Sequence, residues 1–592
     1  MFISAVEAHG FRNLEGRIPI AFPLCLLLGE NNAGKSNVID ALRLLLEPDV
    51  GQRIRKWITA EDFRHDGRGT RSVDRFEIAV EFSDLTTADA ARMVTCLAPS
   101  LGANKARLRL AASLRSDGKV DTEWYGGDSS HADVEKFARE ATTFTYLQPL
   151  RDATADLRPG RDNRIVDLIA ALAPAGHADR IKIEQAAVAA NAALFQVGSV
   201  VDSRARIQNR LKEMTGGEVF SQETDLAFAD PRFERILGSL RALAGSLAPL
   251  ELSENGLGFN NLLYMAVLLA GLSSKTDGGL HVLLVEEPEA HLHPQLQDLL
   301  MRHLESQGVD ATQVVVTRHS PNFASSASVE RATVIVPQAV GAPTIARAPG
   351  DFGLEPKQLR HLRRFLDVTK AALLFSRGVI FVEGVSEQLL VPVIAKQMGK
   401  PLAPRGITVI NIGGVAFEPF LCLFGPDQLP HRCAVISDSD PPDAPGLEDE
   451  EDSLSEDPAA AAAVADHEVT PLGPEAPPMS ARARRLQRAD SDTIRVCLAE
   501  KTLEWDLVKA GNWDLALAAL SQFHPRVAAG LRRDHVNSSD EERAAAFLAK
   551  VQTIKGEVAQ ELADSIEEGS AIGLQIPDYI RRAILWVSGD DE

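Results

Sequence analysis

The sequence predicts an α/β protein with two parallel-sheet domains in series, the first interrupted by helices. Three observations carry this reading. An apolar run, Leu24–Leu28, is followed at once by Gly29-Glu30-Asn31-Asn32-Ala33-Gly34-Lys35-Ser36 and a helical pattern, a strand–loop–helix order. A second apolar run, 281–285, ends in Glu286-Glu287. Far downstream, 379–382 ends in Glu383-Gly384, and 434–437 ends in Asp438 and Asp440. Short apolar strands separated by helical segments build doubly wound sheets, and such sheets place their ligands at the carboxyl ends of the strands.

The 592 residues are too many for one core, so several domains are expected. An apolar content of 45% and a charged content of 24% are those of an ordinary globular chain. No apolar run is long enough to span a membrane, and the N-terminus lacks the basic and apolar regions of a signal peptide. Five scattered cysteines, Cys25, Cys96, Cys422, Cys433 and Cys497, show no metal-binding spacing. They read as free thiols of a cytoplasmic protein. The net charge of −21 argues against a field that attracts nucleic acid to the whole surface. About half of it comes from 441–481, which holds eleven acids and no Lys or Arg. That stretch reads as a solvated insert. It follows Asp440 directly, where it could repel a polyanion or cover the strand ends.

Taken in order, residues 1–22 alternate apolar and polar with turns near Gly10 and Gly16, a β-hairpin. Residues 29–36 then match G-x-x-x-x-G-K-[ST] in its required setting. Gly29, Asn32 and Gly34 let backbone amides wrap phosphates, Lys35 supplies a charge to the β and γ phosphates, and Ser36 is a Mg²⁺ ligand. A helix is expected over 37–46. Strands follow at 76–82, 108–114 and 144–147. Gln148, just after the last, either reaches the Mg²⁺ or attacking water of a nucleotide site, or is a polar strand-end residue. Residues 160–246 turn helical, either as core helices or as a surface for a partner subunit.

In Leu252-Ser253-Glu254-Asn255-Gly256-Leu257-Gly258, a Ser and two glycines precede an apolar helix expected over 262–272. This resembles the signature loop of ABC-type ATPases, although Leu257 separates the two glycines. The 281–285 strand with Glu286 and Glu287 has the Walker B arrangement: Glu286 would hold Mg²⁺ and Glu287 would orient or deprotonate the attacking water. Most ABC ATPases carry Asp at the first of these positions. A further strand, 313–317, leads to His319, the place of a γ-phosphate sensor. His291 and His293 follow Walker B, where subunit contacts are expected rather than a metal site. P-loop, signature, Walker B and switch His stand in ABC order. The resemblance implies two heads sandwiching two ATP molecules, hence a homodimer or a higher even oligomer. Residues 1–350 form this ATPase domain. Residues 351–372 form a linking helix whose stripe of Lys357, Arg360, His361, Arg363, Arg364 and Lys370 is either a solvated face or a DNA contact.

Residues 373–592 form the second domain, with β-α-β-α-β order across strands 379–382, 408–412 and 434–437, and a helical C-terminal part. Four clustered acids cannot all stay ionised without a cation, so Mg²⁺ or Mn²⁺ is expected among Glu383, Glu387, Asp438 and Asp440. Glu-Gly on one strand and Asp-x-Asp on another resembles the Toprim domain. Joined to an ABC-type ATPase, and with Lys501-Thr502-Leu503-Glu504-Trp505-Asp506-Leu507 and Lys555-Gly556-Glu557-Val558-Ala559 downstream, the chain is similar to the OLD (overcoming lysogenisation defect) nucleases. The same architecture occurs in the nuclease subunit of the Gabija anti-phage system.

The resemblance implies two-metal cleavage of a DNA phosphodiester, one ion forming the nucleophile and one stabilising the leaving oxygen, about 3.5–4 Å apart. A third ion would accompany ATP. Glu504, placed at a strand end, is a further candidate ligand, and Lys555 a candidate for neutralising charge on the scissile phosphate. Ser437 either contacts a metal or phosphate or starts the turn. Nicking or double-strand cleavage in phage defence or DNA repair, with DNA and a helicase as partners, is the implied setting. A different class of reading is an ATP-driven DNA clamp or sensor whose second domain binds without cutting. A topoisomerase-like reading finds no Tyr nucleophile among Tyr125, Tyr146, Tyr264 and Tyr579.

Overall fold

The computed structural model describes the chain outside 49–56, 67–69, 133, 150–156, 158–159, 161–162, 217–222, 224–225, 227–229, 246–249, 273–278, 290–291, 308–311, 319–327, 339–341, 415, 440–479, 570, 572 and 591–592. Asp440, His319, His291 and nearly all of the acidic stretch therefore lie outside the described residues.

The N-terminal hairpin pairs β1 (Phe2–Phe11) with β2 (Leu14–Pro19). The P-loop strand β3 (Leu24–Leu28) is buried along its whole length and feeds α1 (Lys35–Leu45), two residues ahead of the predicted start. After β4 (Glu47–Pro48) come β5 (Arg75–Ser83), β6 (Ala106–Leu114) and β7 (Val120–Gly126). These complete an antiparallel sheet in the order β2-β1-β5-β6-β7.

The strand β8 (Thr142–Leu147) precedes the helical stretch α2 (Arg164–Leu172), α3 (Ala178–Leu194) and α4 (Gly198–Thr215). Neither α3 nor α4 has a fully buried residue. Ile181, Val188, Val201, Ile207 and Met214 are exposed. Of the two sequence readings, a core helix is thus excluded for these two segments. No single helix among the described residues is long and apolar enough to cross a membrane.

A two-residue ladder of β9 (Leu243–Ala244) and β10 (Leu250–Glu251) leads to α5 (Leu257–Leu272). That helix starts five residues before the predicted 262, so Gly258 stands in its first turn rather than in the loop before it. The Walker B strand β11 (Leu280–Glu286), α6 (Pro294–Gln307), β12 (Thr312–Thr317), β13 (Ala332–Val336) and β14 (Ile345–Arg347) finish the head. Its main sheet has seven strands, β14-β13-β3-β12-β11-β8-β4. The strands β13, β3, β12, β11 and β8 run parallel, so their carboxyl ends share one edge.

The expected single helix over 351–372 is divided: α7 (Pro356–Phe365) is followed by a 3-10 stretch, Lys370–Phe375. Lys370 is buried and paired with Asp367, and His361 packs on Phe365 and Phe420, so neither belongs to an exposed basic stripe.

The second domain is a four-stranded parallel sheet, β16-β15-β17-β18, of β15 (Gly378–Val382), β16 (Ile407–Asn411), β17 (Arg432–Ser437) and β18 (Ile494–Leu498). The helix α8 (Val385–Gln397) follows β15. A basic helix, α9 (Ala481–Gln487), precedes β18. The C-terminal part is helical: α10 (Leu503–Lys509), α11 (Trp513–Phe523), α12 (Pro525–Asp534), α13 (Asp540–Val551), α14 (Lys555–Glu567) and α15 (Asp578–Ser588). One apolar cluster joins head and second domain, with Leu26, Val285 and Val316 continuous through Leu374 to Phe381 and Val435.

Candidate active site

The P-loop is shaped by steric necessity. A Cβ at Gly29 would stand 2.4 Å from the Ile335 carbonyl oxygen, and one at Gly34 would stand 2.7 Å from Asn13 Oδ1. Both residues also have positive φ, as does Asn32 at 62°. Lys35 is buried, and its ammonium donates to the carbonyls of Gly29 at 2.7 Å and Glu30 at 2.6 Å. Burial pulls its pKa down to about 8 against the opposing charges of Glu287, Glu289 and Glu30. The loop thus holds its own cation where phosphate oxygens would otherwise satisfy it.

Ser36 Oγ donates to Glu286 Oε2 at 2.6 Å, so the proposed Mg²⁺ ligand and the Walker B acid already meet across β12. The other oxygen of Glu286 accepts from Tyr146 Oη at 2.7 Å. Tyr146 was not among the residues expected to matter here, and no local pattern marks it. It lies on β8, which pairs with β11 through Leu147 and Val285, so Gln148 follows at the same edge. Glu287 adopts φ 45°, a left-handed conformation that non-glycine residues enter at a cost of about 1 kcal/mol or more, with its amide donating to Thr317 O. Ser253 and Gly256 are exposed in the turn before α5.

The second domain collects its acids at the carboxyl edge of its sheet. Glu383 directly follows β15 and accepts hydrogen bonds from Ser437 Oγ and, at 3.4 Å, from the Asp438 amide. Ser437 therefore orients Glu383. Glu387 sits in the first turn of α8, and a Cβ at Gly384 would lie 3.1 Å from its Oε2. Burial raises the pKa of Glu387, and the charges of Glu504 and Glu383 raise it further, with Lys555 opposing.

Glu504 is not at a strand end. The strand β18 stops at Leu498, and Glu504 is in the first turn of α10, whose N-cap Thr502 accepts from Trp505 N. Buried there, Glu504 accepts from Ser386 Oγ at 3.0 Å and pairs with Lys555 Nζ at 3.1 Å. Lys555 opens α14. Burial works against its charge, but Glu504, Asp438 and Glu387 outweigh that and raise its pKa. Glu383, Glu387, Asp438, Glu504 and Lys555 thus form one electrostatic set. Among the described residues no three His, Cys, Asp or Glu side chains stand close enough to hold a cation as they are. The donors are nonetheless all hard carboxylate oxygens, and burial together with their mutual repulsion raises the pKa of Glu387, a charge problem that Mg²⁺ or Mn²⁺ relieves.

Fold and site together define a P-loop nucleotide-binding head joined to a parallel sheet with an acidic carboxyl edge. Family comparisons give the particular kind. The AAA ATPase domain matches residues 135–324, and the "Overcoming lysogenization defect protein-like, TOPRIM domain" matches 374–440. A family described as a protein of unknown function (DUF2813) matches 1–163. The chain thus carries a match to an ATPase domain followed by a match to an OLD-like Toprim domain, in the order that the motifs led one to expect. Over 447 residues it is 23% identical to the protein YbjD of Escherichia coli, covering 71% of this chain and 77% of the relative. It is 24% identical to the OLD nuclease of Thermus scotoductus over 70% of this chain and 78% of that protein. Its 24% identity to the endonuclease GajA of Bacillus cereus covers 31% of each chain. Among solved structures, the C-terminal region of the Burkholderia pseudomallei OLD protein matches 36% of this chain and 98% of its own, at 25% identity and a TM-score of 0.26.

Proposed function

We propose that this protein is an ATP-binding and ATP-hydrolysing, metal-dependent DNA endonuclease, acting in phage defence or DNA repair. The observation that carries this reading is the electrostatic set at the Toprim edge: Glu383 and Asp438 at the ends of two adjacent strands, Glu387 in the first turn of α8, and buried Glu504 paired with half-exposed Lys555. Divalent cations bound there would activate a water as the nucleophile and neutralise charge on the leaving oxygen. Glu383, Glu387 and Asp438 would hold them, with Asp440 from the same Asp-x-Asp motif. Ser437 keeps Glu383 oriented, and Glu504 keeps Lys555 at the edge, where its ammonium offsets charge on the scissile phosphate. The relatives named as nucleases support DNA as the substrate.

In the head, Lys35 and Ser36 would bind the nucleotide phosphates and its Mg²⁺, Glu286 would hold that ion, and Glu287 and Gln148 would act on the attacking water. Ser253, Gly256 and Gly258 would cover the γ-phosphate of a second copy, which His319 would sense in its own. The exposed apolar residues of α3 and α4 suit a homodimer.

Incubation of supercoiled plasmid with Mg²⁺ or Mn²⁺ tests the reading. Nicked or linear product is expected from the wild-type chain and none from Asp438→Ala. Equal behaviour of the two proteins would refute it.

A further inference from the structure

Four arginines stand beside the acidic edge, and the chemistry above uses none of them. Arg482, Arg484, Arg485 and Arg488 fall within seven consecutive residues on and just after α9. All four are exposed, while Ala483 and Leu486 between them are buried and anchor the helix.

Contacts at its start fix this helix to the site. The Ser480 amide donates to the carbonyl of Ser439, the residue after Asp438, at 3.1 Å. Ser439 Oγ in turn donates to the Glu500 carbonyl at 2.5 Å, and Ser480 Oγ caps the helix by accepting from Ala483 N. Arg482 then reaches into the site, with Nη2 3.3 Å from Glu383 Oε1. Arg484, Arg485 and Arg488 make no ion pair among the described residues.

A chain of net charge −21 that keeps three arginines without an ion pair among the described residues, beside its proposed catalytic carboxylates, offers a polyanion a local positive surface there. At about 1.5 Å per residue, the helix spans roughly 9 Å from Arg482 to Arg488. One DNA strand carries a phosphate about every 3.4 Å of axis, so two to three phosphates lie within that reach. Guanidinium forks match phosphate oxygens in pairs.

We propose that α9 is the track on which the DNA backbone enters the Toprim edge. Arg482 exchanges Glu383 for a phosphate next to the scissile bond when DNA and cations arrive. Before that exchange, Arg482 supplies the positive charge that Glu383 lacks. This inference rests on the nuclease reading and adds a binding surface to it.

Anisotropy of the full chain on a fluorescein-labelled duplex, with Ca²⁺ in place of a catalytic ion and over a range of salt, tests the track. Arg484→Gln/Arg485→Gln/Arg488→Gln is expected to weaken binding at least about tenfold and to reduce the slope of log K against log salt by about 2 to 3. The matching triple change on the other basic helix, Lys357→Gln/Arg360→Gln/Arg364→Gln, is expected to alter neither. Equal losses from both triples would reduce the effect to net charge and overturn the proposal. So would unaltered binding by the α9 triple in a protein that still cleaves plasmid, and there the nuclease reading would survive. Failure of the wild-type chain to cleave with any divalent ion is the separate result that removes the nuclease reading.

For Arg482 the informative readouts diverge. Arg482→Ala is expected to slow cleavage at saturating DNA and, with a competing cation gone, to bind Mn²⁺ as tightly as wild type or several-fold tighter by calorimetry. A merely structural role would weaken both. Arg482→Ala cleaving at the wild-type rate would refute the exchange.

Discussion

Glu30, inside the P-loop, is held by Arg377 through both carboxylate oxygens, at 2.8 and 3.0 Å from Nε and 2.9 Å from Nη2. Arg377 is the residue before β15, and Glu383 is the residue after it. The carbonyl of Glu30 meanwhile accepts from Lys35 Nζ. One P-loop residue is therefore tied both to the proposed nucleotide-binding lysine and to the strand that carries the proposed metal-binding Glu383, which lies roughly 20 Å beyond Arg377 at about 3.3 Å per residue. A nucleotide that draws Lys35 onto its phosphates releases one of these two ties.

Removal of that link should disconnect nucleotide from cleavage without unfolding the chain. Arg377 is largely exposed, so the pair contributes no more than about 1 kcal/mol to stability. Arg377→Gln is expected to leave the melting temperature nearly unchanged. The ratio of plasmid cleavage rates with and without ATP should move several-fold toward one. An unchanged ratio would show that the pair carries no nucleotide signal.

The Tyr146–Glu286 hydrogen bond leads to a prediction for the ATPase. Hydrogen bonds to charged groups contribute about 1.5–3 kcal/mol. Tyr146→Phe removes this hydrogen bond from Glu286 and is expected to lower ATP turnover by about tenfold or more while nucleotide binding persists. Steady-state hydrolysis beside fluorescent-nucleotide titration separates the two effects. Wild-type turnover would remove Tyr146 from the site.

Buried Glu504 and half-exposed Lys555 should behave as a coupled unit. Lys555→Met leaves the buried Glu504 carboxylate without its partially exposed cation, a change expected to cost about 1–3 kcal/mol. The Glu504→Gln/Lys555→Met double variant is expected to recover most of that stability and none of the cleavage. Thermal denaturation and a plasmid assay on all three variants check this. Recovery of cleavage in the double variant would mean that Lys555 acts only through folding.

A buried histidine sets an acid limit. His431, just before β17, has its pKa pulled down to about 4 by burial, with Glu30 opposing. The unfolded chain takes up this proton near pH 6.5 and the folded chain only near 4. Stability is therefore fully present above about pH 6.5 and falls as the pH drops toward 4, by about 3 kcal/mol for this one group. Denaturant midpoints between pH 7 and 4 should fall less steeply in His431→Asn. Parallel profiles would assign the acid sensitivity elsewhere.

The features legible in the sequence were those whose signal is local. The strand β3, the loop after it and the acids that end β11, β15 and β17 are adjacent in the chain, so a short apolar run and its next residues were enough. Gly258 and Glu504 were misplaced because helix starts are less visible. Leu257 already satisfies the helix α5, and Thr502 is the N-cap that would have moved Glu504 from a strand into α10. Tyr146, Arg377 and Arg482 reach their partners across long stretches of chain. Their roles exist only once the sheets assemble, and no spacing rule points to them.

The most direct test of the central claim is single-turnover plasmid cleavage as a function of Mn²⁺ concentration, for wild type and Asp438→Asn, with ATP hydrolysis followed in the same samples. The account predicts no cleavage in EDTA, a rise with Mn²⁺ steeper than first order, and loss of cleavage but not of ATP hydrolysis in Asp438→Asn. Cleavage in EDTA, or equal Mn²⁺-dependent cleavage by both proteins, would contradict it.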